Sequence, residues 1–284
     1  MKNTAFGRRR LLISVIGIFS VICLLSTILI YLWQENRKVL KFSVDDATEI
    51  LMDISNNDYE SIFDSNRMSI FKQMHEEYDL DVTLFLFEKL ESYNLSDFPD
   101  KYEDEFEANS DWLKLGWHGI DDGSPEDCGY SGDELIQSYI NTTNEIIRFA
   151  GKRSLSKELR VHYWYTDGSD LISYLSKNGI TGLYYCDTDV IGYDFTNEED
   201  ARIRTDANGV LSKRYRFRKI KYQLTDIRLD NIQSDEELIS LLQEKANDKD
   251  LVVFTHAWMM GNSSCYIETM CKWAADNNYI MDWN

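Results

Sequence analysis

Proline, histidine and basic residues are scarce in this sequence of 284 residues. It has two prolines and four histidines, and its 30 lysines and arginines face 49 aspartates and glutamates. With no proline-rich or Gly/Ser-rich linker, the chain after residue 41 is predicted to form one domain. That part carries a net charge of −25. A nucleic-acid partner is therefore not expected, because binding phosphates requires a basic face.

The spacing of the cysteines excludes two further classes of site. No C-x-x-C motif is present, which argues against a zinc ribbon or a redox dithiol. Four cysteines lie outside the apolar N-terminal segment, at Cys128, Cys186, Cys265 and Cys271. In an oxidising compartment they permit two disulfides, with three possible connectivities.

Residues 11–33 form one long apolar run without a charge. As a helix this run would span roughly 34 Å, enough for a hydrocarbon core of ~30 Å. A cleaved signal peptide is the alternative, but its apolar region is only ~7–15 residues and ends in small residues. This run ends in Tyr31, Leu32 and Trp33, which suit a membrane interface. The pattern favours a membrane anchor over a signal peptide or a buried helix.

The charges around this run predict its orientation and the division of the chain. Four basic residues precede it and three follow, which favours a cytoplasmic N-terminus by the positive-inside rule. We therefore expect a cytoplasmic segment at 1–10, a single membrane span at 11–33 and a stalk at 34–41. Residues 42–284 would then form an extracytoplasmic domain at the cell membrane.

Apolar β-rich runs alternate with helical patterns along that domain. Strands are predicted at 40–44, 82–87, 113–117, 159–163, 181–185, 222–227 and 251–254, and helices near 59–78, 133–150, 169–178, 235–246 and 266–276. This alternation predicts an α/β fold with a parallel sheet, and seven strands favour a closed or nearly closed barrel. The basic, aromatic segment 210–221 is interpreted as a hairpin whose charges pair with the acidic surface.

Acidic residues and histidines fall at the predicted strand ends, which share one face in a parallel α/β barrel. Three of the four histidines are at such ends. The residues concerned are Asp45, Asp46, His118, Asp122, Arg160, His162 and His256. His162 could equally be a core residue. Aspartate and histidine together bind divalent metals, commonly zinc, and a metal with an open position acidifies water. Alternatively, Asp45 and Asp46 could cap the helix that follows.

Four short segments resemble the motifs of the NodB-type polysaccharide deacetylases, in the same order. Phe42-Ser-Val-Asp45-Asp46-Ala is similar to T-F-D-D-G, and Gly116-Trp-His118-Gly-Ile-Asp-Asp122 to H-S/T-x-x-H. Arg160 stands where the family has its strand-borne arginine, and Phe254-Thr-His256 resembles L-x-H. The resemblance spans residues 40 to about 260. It implies a distorted (β/α)7 TIM-like barrel that hydrolyses an N-acetyl group from a sugar.

The resemblance also implies a role for each matching residue. Asp45 would be the general base, Arg160 would orient it, and His256 would protonate the leaving amine. Asp46, His118 and Asp122 would bind the divalent metal, zinc being the usual choice. Trp117, Tyr163, Trp164 and Trp258 flank this site and would stack on the sugar rings.

Three positions depart from the family pattern. Asp122 replaces the second metal histidine, Ala47 replaces the glycine after the acid pair, and the proline of R-x-P-Y is absent. The leading hypothesis is a membrane-anchored, metal-dependent deacetylase of a cell-surface or extracellular polysaccharide. The alternative is an inactive glycan-binding protein with the same face. A purely structural surface protein would leave the histidines at the strand ends unexplained.

Overall fold

The computed structural model describes residues 37–168, 170–185, 190–206, 209–215 and 218–282, together with Ser26 and without the side chain of Asn262. Contacts divide the chain between Lys38 and Val39, and the larger unit is residues 39–284. Apart from Ser26, the predicted anchor at 11–33 lies outside the described residues. Within the residues described, no helix is both long and apolar enough to span a membrane.

Strands and helices alternate along the larger unit. The strands are β1 Lys38–Asp45, β2 Val82–Phe87, β3 Lys89–Leu90, β4 Tyr93–Asn94, β5 Leu113–Gly119, β6 Glu158–Leu159, β7 Gly182–Tyr185, β8 Val210–Tyr215, β9 Arg218–Leu224, β10 Ile227–Arg228, β11 Asp250–His256 and β12 Tyr279–Met281. The α-helices are α1 Thr48–Asn57, α2 Asn66–Tyr78, α3 Glu103–Ala108, α4 Pro125–Cys128, α5 Gly132–Ala150, α6 Leu171–Lys177, α7 Asn197–Thr205, α8 Asp235–Glu244 and α9 Met260–Asp276.

The first sheet has the order β10-β11-β1-β2-β5, with β12 paired to β1. The pairs along that order are all parallel. Every residue of β2 is buried, as expected for a parallel strand covered on both faces. The register sets Asp45 beside His256, so the carboxyl ends of β1 and β11 meet.

The second sheet has the order β6-β7-β9-β8. Strands β6, β7 and β9 are parallel, and β8 forms an antiparallel hairpin with β9, as predicted for segment 210–221. One isolated parallel bridge joins Leu115 of β5 to Leu155, which precedes β6 by three residues. The predicted parallel α/β organisation is therefore confirmed. The described strands pair in separate sheets, so the sheet topology does not establish closure into one barrel.

Two predicted strands differ from the observed ones. Segment 159–163 contributes only Leu159 to β6, and the chain then turns through Tyr163 and Trp164, which adopt left-handed backbone conformations with φ of 52° and 54°. Segment 222–227 is divided between β9 and β10. The division occurs where the Thr225 amide donates to Tyr185 in the second sheet and the Asp226 amide donates to Val252 in the first.

Candidate active site

A cavity of about 620 Å³ opens where the parallel strands end. It contains most of the residues that the sequence singled out. Its walls include Asp45, Asp46, His118, Asp122, Arg160, His162, Tyr163, Trp164, Arg228, His256 and Trp258. Cavities of this size and mixed polarity at the carboxyl ends of strands are the usual ligand sites of α/β proteins.

Asp45 is the last residue of β1, and its carboxylate is buried against Arg160. Arg160 Nε lies 3.2 Å from Asp45 Oδ2, and both side chains are about 3% exposed. The guanidinium also donates to Thr225 Oγ1 at 2.7 Å and lies 4.0 Å from the ring centroid of Phe254. A buried carboxylate held by one fixed arginine is in a defined orientation, because neither group can turn without losing its partner.

Asp46 points in a different direction because its backbone is left-handed, with φ of 56°. Such a conformation is uncommon for a residue other than glycine and lets Asp46 turn into the cavity. The capping alternative is not observed. The residue before α1 is Ala47, and no side chain makes a capping hydrogen bond there.

Asp46, His118 and His162 bring three ligand atoms within 4.8 Å of one another. His118 Nε2 lies 3.4 Å from Asp46 Oδ1 and 3.1 Å from His162 Nδ1. His118 Nδ1 is 2.6 Å from the carbonyl oxygen of Arg160. This contact assigns the Nδ1 proton to that carbonyl, so Nε2 of the neutral ring keeps its lone pair for the cluster. Two imidazoles and one carboxylate are a usual donor set for Zn²⁺.

The charges in this cluster favour an added positive charge. Burial opposes ionisation of Asp46, but the hydrogen bond and charge of His118 outweigh it and lower the pKa of Asp46 to about 2. Burial also opposes protonation of His118, yet Asp46 and Asp45 raise the pKa of its imidazole. Burial, reinforced by His118, lowers the pKa of His162 to about 3. His162 therefore stays neutral with a lone pair available, and the donor set fits a divalent cation.

Asp122 is exposed in the loop after β5 and is not one of the three grouped ligands. The structure thus brings His162, rather than Asp122, to Asp46 and His118. His162 reaches the group because β6 ends early and the chain turns at residues 162–164. Its Cβ lies 3.1 Å from where a Cβ on Gly119 would be, so a side chain at position 119 would crowd it.

His256 ends β11 and is held by Asp230, a residue that the sequence analysis missed. His256 Nδ1 contacts Asp230 Oδ2, and the His256 amide donates to Oδ1 at 3.1 Å. Thr255 and Arg228 also contact this carboxylate, at 2.6 and 2.8 Å. Burial alone would raise the pKa of Asp230, but hydrogen bonds from His256 and Thr255 lower it to about 2. Asp230 follows β10, so it too lies after a strand end.

The four predicted aromatic residues have different surroundings. Tyr163 and Trp258 are 52% and 53% exposed at the cavity, and Trp258 Nε1 donates to Asp46 Oδ2 at 3.0 Å. Trp164 is half-buried and packs edge-on against Tyr185. Trp117 is 1% exposed and is a core residue rather than a wall of this cavity. It precedes His118 on β5, so its side chain points to the opposite face, where it bonds Ser138.

Among known proteins, some have structures similar to that of this chain, but none was matched by its sequence. No family model and no curated protein matches the sequence. The chain is similar to the 4-alpha-glucanotransferase of Thermococcus litoralis, with a TM-score of 0.51, 9% identity, and coverage of 87% of this chain and 37% of that one. This likeness shows a shared fold with part of the larger enzyme.

Two other similar structures are family 4 carbohydrate esterases, the group of the NodB-type polysaccharide deacetylases. The esterase from Streptomyces lividans, in complex with acetate, has a TM-score of 0.44 and 14% identity, covering 86% of this chain and 90% of that one. The esterase from Streptococcus mutans has a TM-score of 0.45 and 13% identity, covering 86% and 85%. The family resembled in sequence is thus also found among the similar structures.

Proposed function

We propose that this protein is a metal-dependent hydrolase that removes N-acetyl groups from a cell-surface or extracellular polysaccharide. One observation carries the proposal: a three-ligand cluster of Asp46, His118 and His162 at the cavity. The same cavity is lined by Asp45 and Arg160, which form a buried pair, and by His256, which is paired with Asp230. A metal, a base and an acid are the parts that metal-dependent hydrolysis of an amide uses at neutral pH.

Asp46, His118 and His162 would hold the metal, for which zinc is the first choice. When bound, such a metal supplies Lewis-acid polarisation of the amide carbonyl and lowers the pKa of water. His118 is prepared for this role by its Nδ1 contact with the Arg160 carbonyl, which fixes its orientation and tautomer. Trp258 similarly fixes one oxygen of Asp46.

Asp45 is assigned as the general base and His256 as the general acid. Arg160 holds the Asp45 carboxylate on the inner side of β1, close enough for Asp45 to raise the pKa of His118. Asp230 engages the Nδ1 side of His256, which leaves Nε2 as the ring nitrogen available to a leaving amine. Arg160 and Asp230 are therefore positioning residues for the base and the acid.

The walls of the cavity favour a sugar as the bound group. Tyr163 and Trp258 expose large aromatic surfaces beside the metal cluster. An aromatic ring offers a sugar an apolar face, and the carboxylates and imidazoles nearby can bond its hydroxyls. The competing hypothesis, an inactive glycan-binding protein, depended on the loss of a metal histidine at Asp122. Because His162 provides a second imidazole in the cluster, the absence of a histidine at position 122 does not argue against metal binding.

The remaining parts of the proposal come from the sequence. Residues 11–33 would anchor the protein in the cell membrane as a single span, with the catalytic domain outside the cytoplasm. The two sheets, which approach each other where Leu115 of β5 bridges to Leu155 just before β6, would be the two parts of a distorted (β/α)7 barrel. A distorted barrel accounts for the parallel strands whose carboxyl ends line one cavity.

Acetate release from N-acetylglucosamine oligomers tests the proposal. The full chain in detergent is stripped with chelator, reloaded with Zn²⁺ and assayed beside the Asp45→Asn variant. We expect acetate from the reloaded protein, little from the stripped protein, and a loss of about 10²–10⁴-fold in Asp45→Asn. A protein that binds zinc but releases no acetate would contradict the reaction. One that binds oligomers and no metal would favour the inactive glycan-binding protein.

A further inference from the structure

The end of the larger unit opposite the cavity is cationic, although the chain after residue 41 is strongly acidic. Parallel strands begin at this end, and basic residues cluster at the beginnings of β5, β6 and β9, although acidic residues such as Asp250 also stand there. Lys114 is the second residue of β5, Lys157 precedes β6, and Arg218 and Lys219 begin β9. We define the cationic end as Lys114, Lys152, Lys157, Arg214, Arg218 and Lys219.

The cationic end is one continuous surface. Lys114, Lys152 and Lys157 line a shared depression with Thr181, and the one acid in its lining, Glu158, is paired with Lys41. The Thr181 amide donates to the Lys157 carbonyl, and the Thr181 carbonyl accepts from Lys221 of β9. On the other side, Arg218 reaches to within 3.9 Å of the Cβ position of Gly179, just before β7. Neighbouring strands thus carry the charges from β5 across to the β8–β9 hairpin.

These six cations differ from the basic residues around them. Three basic neighbours are paired with acids, as Arg153–Asp111, Lys213–Glu199 and Lys221–Asp250. No ion pair is recorded between any of the six and a described residue. Arg214 and Lys219 stand directly opposite each other across the hairpin, both exposed. Like charges in that position destabilise a sheet, so the surface is better suited to an anionic partner than to solvent.

The mouth of the cavity has the opposite charge. Glu91 and Asp122 line it and are exposed, and Glu49 is half-buried beside them. An anionic surface would therefore attract one end of the molecule and repel the other. The opposite charges of the two ends would therefore orient the molecule at an anionic surface, in addition to promoting binding to it.

The course of the chain indicates which anionic surface is involved. Val39 pairs with Asp250 at the beginning of β11, so β1 enters the domain at the end where the parallel strands begin, which is the end that carries the six cations. Only residues 34–38 separate Val39 from the predicted span at 11–33. Fully extended, five residues reach roughly 18 Å. A membrane anchor would thus hold this end within a few Debye lengths of the bilayer, each about 8 Å in physiological salt.

We propose that the cationic end lies against anionic phospholipid headgroups and directs the cavity away from the bilayer. This inference rests on the proposed membrane anchor. Such an orientation would present the catalytic groups to a polymer outside the membrane. Bilayers attract basic side chains near their surface in this way when they contain anionic lipids.

Lysine labelling in vesicles tests the orientation. The full chain is reconstituted in phosphatidylcholine, with or without phosphatidylglycerol, and treated with a membrane-impermeant amine reagent. Peptide mass spectrometry then compares Lys157 and Lys219 with Lys89, which lies by the cavity and is 45% exposed. Phosphatidylglycerol should lower the reactivity of Lys157 and Lys219 relative to Lys89 by about tenfold.

In the variant Arg214→Glu/Lys219→Glu, phosphatidylglycerol should no longer protect Lys157 from labelling. Lys157 is the reporter because Lys219 is replaced in this variant. The matched control is Lys72→Glu/Arg202→Glu, which changes the net charge equally at two exposed positions on α2 and α7. Protection should remain in the control. Equal labelling in both lipids, or protection that survives the reversal at 214 and 219, would overturn the proposal. Protection by soluble polyphosphate but not by phosphatidylglycerol would overturn the lipid assignment.

Flotation separates this proposal from the proposed anchor. A chain that fails to float with pure phosphatidylcholine vesicles lacks the anchor. The cationic end is then tested by flotation with phosphatidylglycerol vesicles, which the reversal at 214 and 219 should abolish if the lipid assignment holds. Binding that is equal in the wild type and the variant would refute it.

Discussion

Replacing His162 should remove the metal, whereas replacing Asp122 should not. His162 Nδ1 lies 3.1 Å from His118 Nε2, and His162 is grouped with Asp46 and His118. Asp122 is exposed and outside that group. Changes beside a metal ligand typically cost 10–100-fold in affinity, and loss of a ligand should cost more than ~100-fold. The pair His162→Ala and Asp122→Ala therefore separates the two ligand sets.

Thermal unfolding gives the expected size of the effect. A ligand at ~100 times its Kd stabilises the folded state by about 2.7 kcal/mol. For a domain of this size that raises Tm by roughly 5–10 °C. If His162→Ala weakens binding by ~100-fold, the same metal concentration adds only about 0.4 kcal/mol, or ~1 °C. Asp122→Ala should keep nearly the whole shift.

The assay is calorimetry of the full chain in detergent, with Zn²⁺ and with chelator, together with measurement of bound metal. Unfolding with chelator shows whether either variant is destabilised before metal is added. A full zinc shift in His162→Ala combined with its loss in Asp122→Ala would refute the reasoning. It would restore Asp122 as the third ligand.

Further substitutions test the other parts of the site. His118→Ala should abolish zinc binding, measured by elemental analysis, while circular dichroism stays unchanged. In Asp45→Asn, bound zinc should remain while kcat falls by ~10²–10⁴-fold. Asp230→Asn should lower kcat, because His256 loses the carboxylate that orients it. It should also remove a loss of stability seen as pH falls from about 4 to 2, because a lowered carboxyl pKa contributes stability only above that range. Arg160→Met should destabilise the fold by about 3–5 kcal/mol in calorimetry, since Asp45 stays buried without its partner.

The strands whose length does not depend on contacts with residues distant in sequence were predicted correctly. Segment 82–87 coincides with β2, and segments 113–117 and 251–254 lie within β5 and β11. The apolar runs at 82–87 and 251–254 indicate burial on both faces and leave few alternatives. The basic segment at 210–221 was also predicted correctly as a hairpin.

The failures have long-range causes. The apolar, aromatic run at 159–163 has strand propensity, yet the chain leaves the sheet at Arg160. There the Arg160 guanidinium is fixed by Asp45 and Thr225, which are distant in sequence. Asp230 was missed for a similar reason. The predicted strand ended at 227, and the short β10 that carries the chain to Asp230 forms only by pairing with β11.

The position of His162 shows why the candidate metal ligands could be predicted by residue type but not all by position. The family's second motif places its two histidines in one loop, and this chain has only one of them, at His118. The space beside Asp46 and His118 is also within reach of the chain that leaves the neighbouring β6. His162 stands there, next to Gly119, which leaves room for its ring. Matching a motif compares positions along one segment, so it assigned the role to Asp122. In the structure, His162 from the segment after β6 lies beside Asp46 and His118. A motif match along one segment cannot detect a contact between residues on different strands.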